Sequence, residues 1–145
     1  MKLVVQRVKY ASVKVDDEIV GKIDQGYMVL VGITDTDTKE TCEYMADKLI
    51  NLRIFDDEND NMNLNIKTVG GSLLLISQFT LYADSKKGNR PSFIEAAKPE
   101  ISKPLYDYFC EACEKRDIHV ERGIFGADMK VELLNDGPVT IILER

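Results

Sequence analysis

Val131-Glu132-Leu133-Leu134-Asn135-Asp136-Gly137-Pro138-Val139-Thr140-Ile141-Ile142-Leu143 decides how this chain closes. Residues 131–134 and 139–143 each read as strand, with Asn135-Asp136-Gly137-Pro138 between them. Proline has no amide proton for a central ladder, so it belongs at an edge, a bend or a turn. Glycine lets another chain or a ligand approach the backbone closely. The dipeptide therefore reads either as a plain turn joining two strands or as a backbone probe aimed at a substrate. An X-Pro bond is also where a cis peptide costs only about 0.5–1 kcal/mol.

Residues 3–15 alternate as a strand, Asp16-Asp17-Glu18 turns the chain back, and 19–23 return. Residues 27–33 form an apolar run suited to a buried strand, so the opening is an antiparallel meander. A first helix is predicted over 37–52. Asp37 and Glu40 have N-cap and N3 spacing. Cys42, Met45, Ala46, Leu49 and Ile50 recur on one helical face. Residues 59–71 are loop-rich, and 72–80 form a second apolar strand. Ser102 is read as the cap of a second helix running to about Arg116, with Pro104 in its first turn. Leu105, Tyr108, Phe109, Ala112 and Cys113 make its apolar face. Strands at 119–122 and 129–143 close the chain. The order implies a single mixed α/β domain over 1–145: a largely antiparallel sheet curled toward a barrel, with two main helices.

The 145 residues are 44% hydrophobic and 30% charged, an ordinary globular balance. The alternation at the amino-terminal end does not resemble a signal peptide. No apolar run approaches the ~20 residues of a membrane span. Three cysteines suggest free thiols and a cytoplasmic location. A net charge of −6 argues against non-specific nucleic-acid binding, DNA included. It leaves room for a local basic site: between Ser85 and Lys98, the cations Lys86, Lys87, Arg90 and Lys98 face Glu95 alone. They lie in a long stretch, 81–99, that lacks a clear period, and loops of that length are often functional.

Several familiar chemistries fail on spacing. Cys110 and Cys113 have redox-motif spacing but fall inside a helix, not at its start. His119 is the only histidine, so a structural zinc site lacks ligands. A Ser-His-Asp triad would have to use that residue, which falls beside a strand start after a charged helix end and reads as a surface or satisfied core histidine. The acidic run at Asp56, Asp57, Glu58 and Asp60 places Asn61 and Lys67 where a calcium loop needs glycine and glutamate. No phosphate loop or dinucleotide fingerprint occurs. No metal or cofactor is expected. There remains Ser77-Gln78-Phe79-Thr80, where an apolar strand runs out into the long loop. It reads as a capped strand end or as a pocket rim. A rim there offers hydroxyls, an amide and backbone N–H donors able to hold an oxyanion.

Together these segments resemble the D-aminoacyl-tRNA deacylase family over essentially the whole chain. Ser77-Gln78-Phe79-Thr80 and Asn135-Asp136-Gly137-Pro138-Val139-Thr140 look like its two signature motifs. Lys87-Gly88-Asn89-Arg90-Pro91-Ser92-Phe93 and Phe125-Gly126-Ala127-Asp128-Met129 are similar to further stretches. The resemblance implies a homodimer that hydrolyses the ester joining a D-amino acid, or mischarged glycine, to the 3′ ribose of tRNA. It puts the catalytic motif on Ser77, Gln78, Phe79 and Thr80. It implies that a cis Gly137-Pro138 enters the opposite subunit's site to reject L-amino acids. Arg7 would brace that element and Met129 would belong to the substrate site. Lys86, Lys87 and Arg90 are the candidates for the acceptor-end phosphates. The competing reading is a non-catalytic, dimeric small-ligand module.

Overall fold

The computed structural model describes residues 1–145. β1 (Lys2–Val15) and β2 (Glu18–Ile23) form a hairpin through Asp16 and Asp17, whose φ values of 51° and 63° suit a two-residue primed turn. β3 (Gly26–Gly32) pairs antiparallel with the first half of β1. After α1 (Lys39–Asn51), the short β4 (Phe55–Asp56) and β5 (Met62–Leu64) pair with each other. β6 (Ser72–Ser77) then runs parallel to β3. α2 (Pro99–Glu114) leads to β7 (Val120–Arg122), parallel to β6. β8 (Lys130–Glu144) returns antiparallel along β1. The sheet order is β2-β1-β3-β6-β7 with β8 on the other edge of β1, so two of its ladders are parallel.

The sheet curls until its ends nearly meet. A methyl group placed at Gly21 of β2 would lie 3.0 Å from the carbonyl oxygen of Arg122 in β7. The Lys22 amide donates to Glu121 Oε1 at 3.4 Å. This closure explains the continuous apolar runs of β3 and β6. Tyr27, Val29, Val31, Leu73 and Leu75 face the helices in the larger core, whereas Met28, Leu74 and Ile76 face the inside of the curl with Val8, Ala11 and Val13. Strands buried on both faces cannot alternate. No helix is long and apolar enough to cross a membrane.

Cys42, Met45, Ala46, Leu49 and Ile50 form the buried face of α1, as their spacing predicts. Its cap differs from the expectation. Thr38 is the N-cap and exchanges bonds with Thr41. Asp37 lies one residue outside, buried, where it accepts from the Thr34 amide at 2.9 Å and from the amino group of Met1. α2 also starts earlier than predicted. Pro99 opens it, and Ser102 and Pro104 lie within it. Ser102 Oγ donates to the Lys98 carbonyl at 3.1 Å instead of capping. Cys110 and Tyr106 join Phe109, Ala112 and Cys113 on its buried face, while Leu105 and Tyr108 are only partly buried. Arg116 ties the helices together through Glu43 and Asp47, each at 2.8 Å.

The terminal segment is one strand, not two joined by a turn. Residues 130–135 and 140–144 of β8 both pair antiparallel with β1, so the chain never reverses direction. Gln6 faces Thr140 and Val8 faces Asn135. β8 therefore spends five residue steps where β1 spends two, and the surplus bulges outward as Asp136-Gly137-Pro138. The Gly137-Pro138 bond is cis. Asn135 fastens the bulge: its Oδ1 accepts from the Val139 amide at 2.8 Å and its Nδ2 donates to Thr140 Oγ1 at 3.2 Å.

Candidate active site

The cavity begins where β3 and β6 end side by side. The Gln78 amide donates to the Val31 carbonyl at 2.8 Å, which extends the parallel pairing by one residue. The chain then winds into a short 3₁₀ turn, Phe79–Tyr82. The first bond of that turn comes from the Leu81 amide to the Gln78 carbonyl. The amides of Phe79 and Thr80 therefore lie ahead of the turn's own bonding, as donors at the start of any helix do. Gln78 Nε2 donates to Thr80 Oγ1 and holds that side chain over the turn.

Beside the turn is a cavity of about 570 Å³. Val31, Ile33 and Ile76 form its base, and Ser77, Gln78 and Phe79 one wall. Phe125 and Met129 line it from the loop between β7 and β8, and Phe93 from the 81–99 stretch. Phe79 is 56% exposed and meets Phe93 edge to face, with ring centroids 5.2 Å apart. Gly123 makes room for Met129, since a methyl group there would sit 2.5 Å from the sulfur. Asp128 is the one ionisable side chain on the lining, and it is exposed and paired with Lys130 at 3.0 Å. No cluster of three potential metal ligands occurs.

The remaining nucleophile and base candidates are elsewhere. His119 is exposed beside Glu121 at 3.1 Å and does not line the cavity. Cys110 and Cys113 are buried in the core, and burial pushes the Cys110 thiol up to about 12. Reactive thiols need the opposite shift.

Lys86, Lys87 and Arg90 are exposed and do not line the cavity. They occupy the tip of a loop closed by reciprocal backbone bonds between Asp84 and Ser92, each 2.8 Å. Ser92 precedes Phe93, so the same closure links the basic tip to the cavity wall. The stretch 81–99 is thus a pinned loop: Thr34 Oγ1 also donates to the Glu95 carbonyl at 2.6 Å, and the Ala97 amide to Ile33.

Arg7 is 6% exposed and serves the bulge. Its Nε donates to the Asp136 carbonyl at 3.0 Å and its Nη1 to the Ile54 carbonyl at 2.7 Å. The carboxylates of Asp56 and Asp136 lie 3.6 and 3.7 Å away. Such a buried cation persists because Nε and Nη1 each donate to a carbonyl and two carboxylates lie close by. Gly137 and Pro138 are exposed and absent from the cavity lining. They lie six residues along β8 from Val131 on the cavity wall, roughly 15–20 Å of strand. One chain therefore brings Ser77, Gln78, Phe79 and Met129 together on the cavity lining and leaves Thr80, which is exposed beside it, Gly137-Pro138 and Arg7 off that lining. Phe93, Phe125, Gly123 and Ser102 complete the cavity region. The first two lie in motif stretches quoted above, whereas Gly123 and Ser102 give no sequence signal.

The chain is similar to known proteins over essentially its whole length. The family model described as D-Tyr-tRNA(Tyr) deacylase matches residues 4–144. A D-aminoacyl-tRNA deacylase of Limosilactobacillus reuteri is 54% identical, covering all of both chains. One from Bacillus pumilus is 57% identical over 99% of this chain and 98% of its own. Among solved structures, a c-Myc DNA Unwinding Element Binding Protein superposes with a TM-score of 0.94 at 41% identity, over 100% of this chain and 99% of its own. A structure titled as a probable eukaryotic D-amino acid tRNA deacylase shares the fold at a TM-score of 0.84, with 18% identity over 98% and 97% of the two chains.

Proposed function

Because this chain belongs to the D-Tyr-tRNA(Tyr) deacylase family and is a hydrolase of D-aminoacyl-tRNA, we propose that it filters chirality as a homodimer in the cytoplasm, with Gly137-Pro138 of one subunit entering the cavity of the other. Family membership sets aside the non-catalytic ligand-binding alternative. One observation carries the proposal: the bulge that resembles the family's rejection element points into solvent, away from its own cavity. A second copy would supply its target. The outer edge of β8 is unpaired along its length, and Leu134 and Ile142 on that strand are 49% and 64% exposed. Long exposed edges of this kind are ordinarily covered.

The filter has to reject one hand for many different side chains, so a side-chain pocket is the wrong tool. A rigid backbone element can occupy the volume that an L side chain needs. Arg7 braces that element and Met129 closes the opposite wall. Glycine has no side chain to clash, so glycyl-tRNA passes. The amides of Phe79 and Thr80 polarise the ester carbonyl, and Ser77 and Gln78 orient the substrate at the rim. The site or the ribose 2′-hydroxyl positions the attacking water. The purified protein is expected to hydrolyse D-tyrosyl-tRNA and glycyl-tRNA and to spare L-tyrosyl-tRNA, with a chelator making no difference. Comparable rates on both enantiomers would overturn the filter.

The acceptor end binds across the basic loop tip. One of the similar proteins is named for binding a DNA unwinding element. The net charge of −6 with one short basic stretch instead favours a limited single-stranded contact. Replacing Lys86, Lys87 and Arg90 with alanine is expected to weaken tRNA binding and to flatten its log–log salt slope by about 2. An unaltered slope in a binding titration would move the phosphate contact elsewhere.

A further inference from the structure

The amides of Phe79 and Thr80 act only if the turn that carries them sits at the right height over the cavity. Two neighbouring groups on the sheet set that height. Gly32 ends β3 and is the cross-strand partner of Lys2 in β1. Its φ is not positive, so its backbone does not demand glycine. Its neighbours do. A methyl group on Gly32 would lie 2.9 Å from Leu81 Cβ and 3.3 Å from both Leu81 Cδ1 and Tyr82 Cδ2. Lys2 reaches over the same spot. Its Nζ donates to the Leu81 carbonyl at 3.3 Å and lies 5.0 Å from the centre of the Tyr82 ring. An exposed ion pair with Glu144 at 3.7 Å completes its partners. At its other end the turn is fixed by the bond from the Gln78 amide to Val31. The two amides thus lie between two anchors, the Val31 carbonyl of β3 at one end and Lys2 of β1, beside Gly32, at the other.

We infer that Gly32 and Lys2 are positioning residues for ester hydrolysis, seating the Phe79–Tyr82 turn so that its leading amides point at the ester carbonyl. This rests on the amide reading proposed above. A methyl group at 2.9 Å from a backbone-linked carbon must be relieved by lifting the turn several tenths of an ångström. Displacements approaching 1 Å at a reacting centre cost about 100-fold in rate.

Steady-state kinetics on D-tyrosyl-tRNA test this. Gly32→Ala is expected to lower kcat about 10- to 100-fold while KM stays within about twofold, because tRNA affinity comes from contacts away from the turn. Adding Leu81→Gly removes the obstructing carbon and is expected to restore kcat at least about fivefold. Lys2→Met adds no bulk and is expected to lower kcat about threefold or more at constant KM, which keeps the test open if Gly32→Ala fails to fold. Wild-type kcat in Gly32→Ala, or a loss that Leu81→Gly leaves unrelieved, overturns the positioning role. Failure of the amide reading is seen separately, as loss of activity in Thr80→Val with Gly32 intact.

Discussion

Gly137→Val is expected to reduce kcat/KM on D-tyrosyl-tRNA by about 100-fold or more and to shrink the D-over-L rate ratio, while the protein stays folded. The backbone at Gly137 has φ of +131°, a region that L side chains rarely adopt. A Cβ there would lie 2.8 Å from Val139 Cγ2 and 3.2 Å from Arg7 Nη2. No side-chain rotation moves a Cβ, so the bulge or these two neighbours must shift, and the positive φ adds backbone strain. Local strain of this kind costs about 1–3 kcal/mol. A domain holds about 5–15 kcal/mol in total, so unfolding is not the expected outcome. A thermal melt checks the fold and the three-substrate assay checks the filter. If the variant keeps the wild-type preference for D over L, a backbone filter at this position is wrong.

Removing the 2′-hydroxyl from the terminal adenosine is expected to slow hydrolysis by about 100-fold or more, whereas Thr80→Val retains most of the rate. The chemistry of the cavity wall motivates the pairing. A covalent threonine needs a base to take its proton. The wall offers Asp128 alone, exposed at the rim and engaged with Lys130. The Thr80 hydroxyl is instead held by the Gln78 side chain. Valine removes that hydroxyl and leaves the amide in place. An aminoacyl ester is labile, so donors that polarise its carbonyl and a neighbouring hydroxyl suffice. Severe loss in Thr80→Val, with the 2′-deoxy substrate cleaved normally, would reverse the assignment.

The buried face of α1 was legible because burial on one side of a helix leaves a 3.6-residue period in the sequence. Its cap is ambiguous in sequence because Asp37 and Thr38 are both good capping residues. Only tertiary structure, which draws Asp37 inward to Met1 and Thr34, separates them. Ser102 and Pro104 imitate a helix start for the same local reason, while Pro99 already supplies one. The bulge at 136–138 was illegible in principle. Two apolar runs around Gly-Pro look alike whether the chain reverses or swells, and pairing with a third strand decides. At the site, Ser77 at the end of β6 and Gln78 and Thr80 just beyond it are visible as a polar cluster ending an apolar strand. Met129 and Phe93 reach the cavity on loops without a period. Gly32 and Gly123 matter through the atoms opposite them, which no local pattern records.

Asn135 gives the bulge its rigidity. The Asn135 side chain satisfies the Val139 amide and reaches Thr140, so the loop closes upon itself inside its own chain. Its entropy is spent when the subunit folds, before any second copy arrives. In the proposed dimer, assembly would join two surfaces that are already ordered, with no folding step of the bulge left to accompany it.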